Sequence, residues 1–167
     1  MKNLVFVAVL LWAGFAMGQI KTELKGFKGL DSNIGATIHV VKSSEHGIEI
    51  SGDSELINSI IYNIHHKNLK IRTSEGQSDY SNVLITVYTP SLETMEMTNG
   101  GRASLDMNFS RIDSFEVSAS DGAVVDLTKV KFKSLVAQSS GGGEVLYKSN
   151  TQVPQPPALE ERVRSIQ

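Results

Sequence analysis

The feature that most constrains this chain is a repeat of about twenty residues between Leu92 and Tyr147. Apolar residues recur in phase through three successive segments, and glycine-rich sequences recur between them. A short period of this kind is typical of architectures in which one small unit stacks on the next. The matched apolar sets are Leu92, Ile112 and Phe132; Met95, Phe115 and Leu135; Met97, Val117 and Ala137; Leu105, Val125 and Val145; and Met107, Leu127 and Tyr147.

Within each segment the apolar residues alternate with polar ones. Phe115 and Val117, for example, flank Glu116. A period of two indicates a strand with one buried and one solvated face. Each segment therefore holds two short strands joined by a corner, where glycine, Asn and Asp tolerate positive φ. The predicted corner residues are Asn99, Gly100, Gly101, Asp121, Gly122, Gly141, Gly142 and Gly143.

Twenty residues leave no room for a helix and fit one coil of a β-solenoid, whose coils stack about 4.8 Å apart. The repeat therefore predicts an all-β, solenoid-like stack of short strands. The alternative is an antiparallel meander or sandwich. It would explain a turn about every ten residues, but it gives no reason for a strict twenty-residue register.

Residues 1–18 have the pattern of a secretory signal peptide. Lys2 supplies the positive charge, an apolar run follows over 4–13, and Ala16-Met17-Gly18 forms a cleavage site before Gln19. The apolar run is shorter than the about twenty residues that span a bilayer, so export is favoured over a retained anchor. We expect a periplasmic, surface-associated or extracellular protein with no transmembrane segment in its mature chain.

The mature chain divides into a β domain over 19–149 and a tail over 150–167. Three prolines in a polar setting indicate an extended linker, and we expect the end of the tail to be frayed. Before the repeats, the pattern predicts a short helical turn capped by Asp53 or Ser54, a hairpin that turns at 65–68 and an exposed loop over 73–81.

Composition excludes several classes. The chain has no cysteine, so it can be neither a lipoprotein nor stapled by a disulfide. Its net charge of −2 comes without a basic patch, which argues against nucleic-acid binding. The only tryptophan, Trp12, lies in the predicted signal peptide, and its loss counts against a platform on which sugars stack.

Several short stretches, taken together in their order and spacing, resemble the head GIN domain family of exported Bacteroidetes-type proteins, described as auto-transporter adhesins. The resemblance spans about residues 26–147 and implies a right-handed β-helix without catalytic residues and a role in adhesion. This chain differs in its corner sequences and in ending after three repeats. The stretches are Phe27–Leu30, Gly35–Val40, Ile48–Asp53, Leu56-Ile57, Asn68–Ile71 and Pro90–Glu93.

Candidate chemistry is sparse. Asp106 and Asp126 share a repeat position, so stacked coils would bring them about 4.8 Å apart, where they are weak candidates for Ca²⁺. Arg102 or Lys129 would then serve a lyase-like reaction. The histidines lack zinc-like spacing, and the glycine triplet lacks the Lys of a phosphate loop. We therefore expect no catalytic site and no cofactor.

The sequence thus favours a non-enzymatic module that binds a protein or glycan of the envelope or of a host surface. A polysaccharide-active lyase or hydrolase on the same scaffold, or a glycan-binding module, is the alternative. The unsealed last coil suggests contacts between copies of the chain.

Overall fold

The computed structural model describes residues 17–74, 79–148 and 163–166. They form an eight-stranded and a six-stranded sheet, a five-residue helix α1 (Ser54–Asn58) and a 3-10 turn at Met107–Phe109. The strands are β1 (Met17–Glu23), β2 (Gly29–Ser32), β3 (Thr37–Lys42), β4 (Gly47–Asp53), β5 (Ile60–His65), β6 (Asn68–Thr73), β7 (Leu84–Thr89), β8 (Thr94–Met97), β9 (Arg102–Leu105), β10 (Arg111–Ala119), β11 (Val124–Asp126), β12 (Lys131–Ser139), β13 (Glu144–Lys148) and β14 (Val163–Ile166).

The second and third repeats pair in parallel with the register that the sequence predicts. Phe115 of β10 lies beside Leu135 of β12, and Val125 of β11 lies beside Val145 of β13. All four side chains are buried. Stacking like on like in this way contributes about 1.5–3 kcal/mol for each large apolar side chain removed from water.

The first repeat is shifted by two residues from the predicted phase. Met95 lies beside Val117, not Phe115, and Ala103, not Leu105, lies beside Val125. Because side chains alternate with a period of two, a shift of two leaves the same face toward the core. The sequence therefore identified most buried residues of this repeat, such as Met95 and Leu105, but it assigned their partners wrongly. It also placed Met107 in a core column, whereas Met107 is 65% exposed.

An N-terminal layer lies between two others, which the sequence did not predict. Leu30 of β2 pairs on one side with Leu69 of β6 and on the other with Met95 of β8. In the second sheet β3 lies between β7 and β9 in the same way. The order of the layers in space therefore differs from their order along the chain.

Antiparallel strands add to the N-terminal end of this parallel stack. β4 pairs antiparallel with β7, β1 pairs antiparallel with β4, and β5 forms the predicted hairpin with β6. The predicted all-β class is confirmed. The expectation of a uniform stack of coils needs correction, because both sheets are mixed.

At the other end β14 pairs in parallel with β13, with Val145 beside Val163. A frayed end to the tail is therefore wrong for 163–166. Residues 149–162 and Gln167, which include the proline-rich linker, and residues 1–16, which hold most of the predicted signal peptide, lie outside the described residues. β1 begins at Met17, two residues before the predicted cleavage point.

One continuous core lies between the two sheets. α1 begins as predicted, with the Asp53 carboxylate accepting a 2.8 Å hydrogen bond from the amide of Glu55. The predicted exposed loop over 73–81 needs correction, because Tyr80 is buried. Its hydroxyl lies 2.7 Å from Ser59 Oγ and 2.6 Å from Thr73 Oγ1, so this part of the loop is tied to the core.

The corners carry the backbone geometry that their residues favour. Asn99-Gly100, Asp121-Gly122 and Gly141-Gly142 all have positive φ, between 52° and 79°. Gly143 serves a different purpose, because a Cβ placed there would lie 2.3 Å from the carbonyl oxygen of Ala119 in the coil below. Glycine at that corner therefore allows two backbones to approach closely.

Candidate interaction surface

The outward face of the eight-stranded sheet carries a polar row that crosses neighbouring strands. Each member lies beside the next because the strands are in register, and none reaches into the core. A row of this kind forms a broad polar surface over a rigid core, suited to contact with another molecule. From β1 to β11 the row is Lys21, Glu49, Thr86, His39, Ser104 and Asp126, and on β13 it ends beside the apolar Leu146.

A cleft with a volume of about 410 Å³ opens at the β1 end of this face. Gly47 lies between Glu23 on β1 and Tyr88 on β7. A Cβ on Gly47 would lie 3.7 Å from the Tyr88 ring, so the missing side chain leaves a depression beside the ring. We call this the Tyr88 cleft; it is lined by Lys21, Thr22, Glu23, Ser43, Glu45, His46, Gly47, Ile48 and Tyr88.

The Tyr88 ring is held in place by its neighbours. Its hydroxyl donates a 3.2 Å hydrogen bond to Glu49 Oε2, while Glu49 Oε1 accepts a 2.8 Å hydrogen bond from Gln19. The ammonium of Lys21 lies 5.9 Å from the ring centroid, within cation–π range. Partial burial, followed by the Glu49 hydrogen bond and charge, raises the pKa of Tyr88 above its ordinary value of 10.0.

His46 forms the opposite wall of the cleft. Its Nδ1 lies 3.2 Å from the hydroxyl of Thr89, and that hydroxyl already donates to the carbonyl of Ser91 at 2.8 Å. A hydroxyl has one proton, so His46 Nδ1 donates, and in the neutral ring Nε2 is then the acceptor. The ring also packs on Phe27 at 4.8 Å between centroids. His46 is thus anchored to the core from one side.

The six-stranded sheet has a charged outward face of a different kind. Asp31 on β2 accepts a 2.6 Å hydrogen bond from Arg72 and lies 3.8 Å from the ammonium of Lys70. Arg72 also donates to the backbone carbonyl of Asp31 at 3.1 Å. These groups satisfy one another and tie β2 to β6.

A second hollow of about 510 Å³ lies near the first corner, among Thr37, Asp79, Asn99 and Arg102. Asp79 accepts a 2.8 Å hydrogen bond from the amide of Ser81, which lowers the pKa of its carboxyl. The hollow lies next to residues 75–78, which are outside the described part of the chain.

The two carboxylates predicted to share a position are not brought side by side. Asp126 lies beside Ser104 and Leu146, because of the two-residue shift in the first repeat. Asp106 instead accepts from the amide of Asn108 at 3.3 Å and begins the 3-10 turn, and Asp126 accepts from the hydroxyl of Thr128 at 2.6 Å. The direct pairing that motivated the Ca²⁺ idea is therefore wrong.

The other candidates are also dispersed. Arg102 is exposed on β9 and Lys129 is exposed in the turn before β12. Within 17–74 and 79–148, no three His, Asp or Glu side chains gather as metal ligands would. The rings of His65 and His66 lie 4.0 Å apart between centroids and are tilted by 58° in the hairpin turn, and His39 is exposed.

Sequence reasoning missed the Tyr88 cleft. The signal was available, because Tyr88 is out of phase with the buried Ile85 and Val87 and so had to face outward. The sequence did not indicate that Tyr88 pairs with Gly47, since this pairing depends on β4 lying antiparallel to β7, which is distant along the chain.

The chain is a member of the family described as "putative auto-transporter adhesin, head GIN domain", whose model matches residues 26–153. The predicted resemblance is thereby confirmed. A comparison with curated proteins finds no match.

Solved structures share the fold. A "putative adhesin" from Bacteroides fragilis is 17% identical, with a TM-score of 0.71 over 79% of this chain and 62% of that one. A "putative adhesin" from Parabacteroides merdae is 14% identical, with a TM-score of 0.66 over 78% and 55%. A "putative lipid binding protein" from Parabacteroides distasonis is 15% identical, with a TM-score of 0.64 over 82% and 59%.

The chain spans 55–62% of the length of these three structures. At these identities the likeness establishes the fold. Of the helices in the described residues, none has the length and apolar content needed to cross a bilayer.

Proposed function

We propose that this protein is an exported, non-enzymatic module that acts by surface contact at the bacterial envelope. The observation that carries the proposal is the polar row across the eight-stranded sheet, which sets exposed and half-buried polar side chains over a continuous buried core. Membership of an adhesin-named family supports the same reading. In this proposal residues 1–18 direct export, 19–149 form the contact domain and 150–167 form a tail that ends on the last coil.

In the same proposal, the layers have a defined winding and copies of the chain assemble. The layers wind as a right-handed β-helix, as the family resemblance implies. Copies of the chain associate through the last coil, where β12 stands at the edge of the six-stranded sheet. An experimental structure of the mature protein tests the winding. A stable monomer in sedimentation across a wide concentration range would refute the association.

The contact role is tested by binding the mature protein to intact cells and envelope fractions of a Bacteroidetes bacterium. A triple alanine variant at Thr86, His39 and Ser104 removes three adjacent members of the polar row. We expect it to bind at least tenfold more weakly than the unmodified protein.

The matched control is a triple alanine variant at Glu96, Ser118 and Gln138, which are adjacent positions on the outward face of the other sheet. It should bind as the unmodified protein does. Equal binding by both variants, or no binding by the unmodified protein, would refute the proposal. Turnover of an acidic polysaccharide that disappears in Asp126→Asn would instead establish the enzymatic alternative.

A further inference from the structure

We infer that the Tyr88 cleft is a binding site for a neutral saccharide. The inference rests on the proposed contact function and names the class of molecule that is contacted. Its starting point is that the outward face, along the described strands of the eight-stranded sheet, presents one half-buried aromatic ring, and that ring stands beside a glycine. With no side chain on Gly47, the ring is open on that side, and the Lys21 ammonium lies 5.9 Å from the ring centroid.

The cleft has the size and composition that such a ligand needs. Its volume of about 410 Å³ lies within the range of about 300–1,000 Å³ that is usual for small-molecule sites. A sugar ring has apolar C–H faces and a polar rim. Tyr88 offers an amphipathic surface for the face, and the lysine, histidine and carboxylates around it offer donors and acceptors for the rim.

The charges around the cleft favour a neutral ligand over an acidic one. Lys21 contributes one positive charge, whereas Glu23 and Glu45 contribute two negative charges. Glu49, which fixes the Tyr88 hydroxyl, adds a third. A uronate or phosphate would therefore meet net repulsion, while hydroxyl groups can bond to either sign.

The site is also preorganised. The Gln19–Glu49–Tyr88 hydrogen bonds fix the ring from one side, and the His46–Thr89 bond fixes the opposite wall. Groups that are already held lose little conformational entropy when a ligand binds. A shallow cleft with a few such groups is expected to bind with a dissociation constant on the order of 1 mM.

The experiment titrates the ¹⁵N-labelled mature protein with neutral oligosaccharides (cello-, malto-, manno- and xylo-hexaose) and follows amide chemical shifts by NMR. At about 10 mM ligand, a site of 1 mM affinity would be about nine-tenths occupied. We expect at least one oligosaccharide to shift the amides of residues 21–23, 45–49 and 88. No shift with any of the four, or shifts confined to other regions, would overturn the inference.

Two variants locate the site and one controls for the fold. Tyr88→Ala removes the ring and Gly47→Val fills the depression, and each should weaken binding at least tenfold. Leu84→Ala is the matched control, because Leu84 is 40% exposed, on the same strand and face, outside the cleft lining. It should bind as the unmodified protein does. Equal affinity in all three variants would overturn the inference.

Further arms separate this inference from the proposed function. Binding to phosphatidylcholine or phosphatidylglycerol vesicles without saccharide binding would replace the saccharide with a lipid surface. Cell binding that persists in Tyr88→Ala, together with absent saccharide binding, would leave the contact function standing and remove this inference. Saccharide binding without any cell binding would leave this inference standing and remove the contact function.

Discussion

The two ends of the molecule differ in how their strands pair and follow one another. From β8 to β13 the chain advances by short parallel strands and glycine corners, and each layer repeats the one before it. From β1 to β7 it contains a helix, a hairpin, antiparallel strands and an inserted layer. Both ends share one core.

The comparison shows where a binding cleft can arise on such a scaffold. Regular stacking places similar side chains side by side, so the repeats form even rows. At the N-terminal end, antiparallel pairing places the unrelated residues Glu23, Gly47 and Tyr88 in one row. A charged side chain, a gap and an aromatic ring side by side make a cleft. Regularity thus stabilises the fold, and irregularity creates the recognition feature.

The largest loss of stability is expected when a charge is placed in the core of the repeats. Val125→Asp should unfold the domain, with a loss of at least about 4 kcal/mol, because an unpaired carboxylate would be buried between β9 and β13. Circular dichroism during urea denaturation measures the loss. Val124→Asp, one residue away on the half-exposed outward side, should change stability little. A folded Val125→Asp protein would contradict the stacked core.

A smaller effect should follow from closing the gap between two corners. In Gly143→Ala the new Cβ would lie 2.3 Å from the Ala119 carbonyl oxygen, and the resulting backbone shift should destabilise the protein by about 3 kcal/mol. Gly142→Ala is the control, because its Cβ meets nothing within 4 Å and only its φ of 79° opposes it. About 1 kcal/mol is expected there. Equal losses in urea denaturation would refute this close approach.

The irregular end is tested at its buried hydroxyl network. Tyr80→Phe removes the group that contacts Ser59 and Thr73, and we expect a loss of about 2 kcal/mol. Amide hydrogen exchange should quicken around α1, β5 and β6 and stay unchanged in β10 to β13. Uniform quickening along the chain would show that the two ends do not differ in local stability.

One substitution is expected to leave stability unchanged or raise it instead of lowering it, and it lies in β2, where the inserted layer packs against its neighbours. Ser32 is fully buried between Ile71 and Met97, and its hydroxyl has no hydrogen-bond partner within the described chain. Ser32→Ala should therefore be neutral or stabilising by up to about 1 kcal/mol. Urea denaturation at neutral pH measures the change. A clear loss of stability would mean that the hydroxyl is satisfied by water.

The smallest effect concerns Tyr88 at alkaline pH. A pKa raised in the folded state means that the folded protein holds this proton more tightly than the unfolded chain does. The stabilisation is complete below pH 10 and is lost as the pH rises through the raised pKa. Absorbance at 295 nm should show a late-titrating component that is absent in Tyr88→Phe. A Tyr88 hydroxyl that titrates at its ordinary pKa would contradict both its partial burial and its Glu49 contact.

Part of this architecture could be predicted from the sequence because it depends on local periodicity. Alternation identified most buried residues of the repeats, including Phe115 and Val125, and the possible caps Asp53 and Ser54 marked the start of α1. The order of short stretches identified the family. The two-residue shift of the first repeat could not be predicted from the sequence, because both registers bury the same face of the strand and only the packing distinguishes them.

The sequence by itself determined most of the side chains that face the core, where the corners fall and which family the chain belongs to. These follow from alternation with period two and from glycine's freedom at positive φ. Tertiary structure alone decided that Leu30 lies between Leu69 and Met95, that Ser104 and not Asp106 lies beside Asp126, and that Gly47 stands beside Tyr88. The reason is that strand partners are chosen by long-range packing and backbone hydrogen bonding, which leave no periodic trace along the chain.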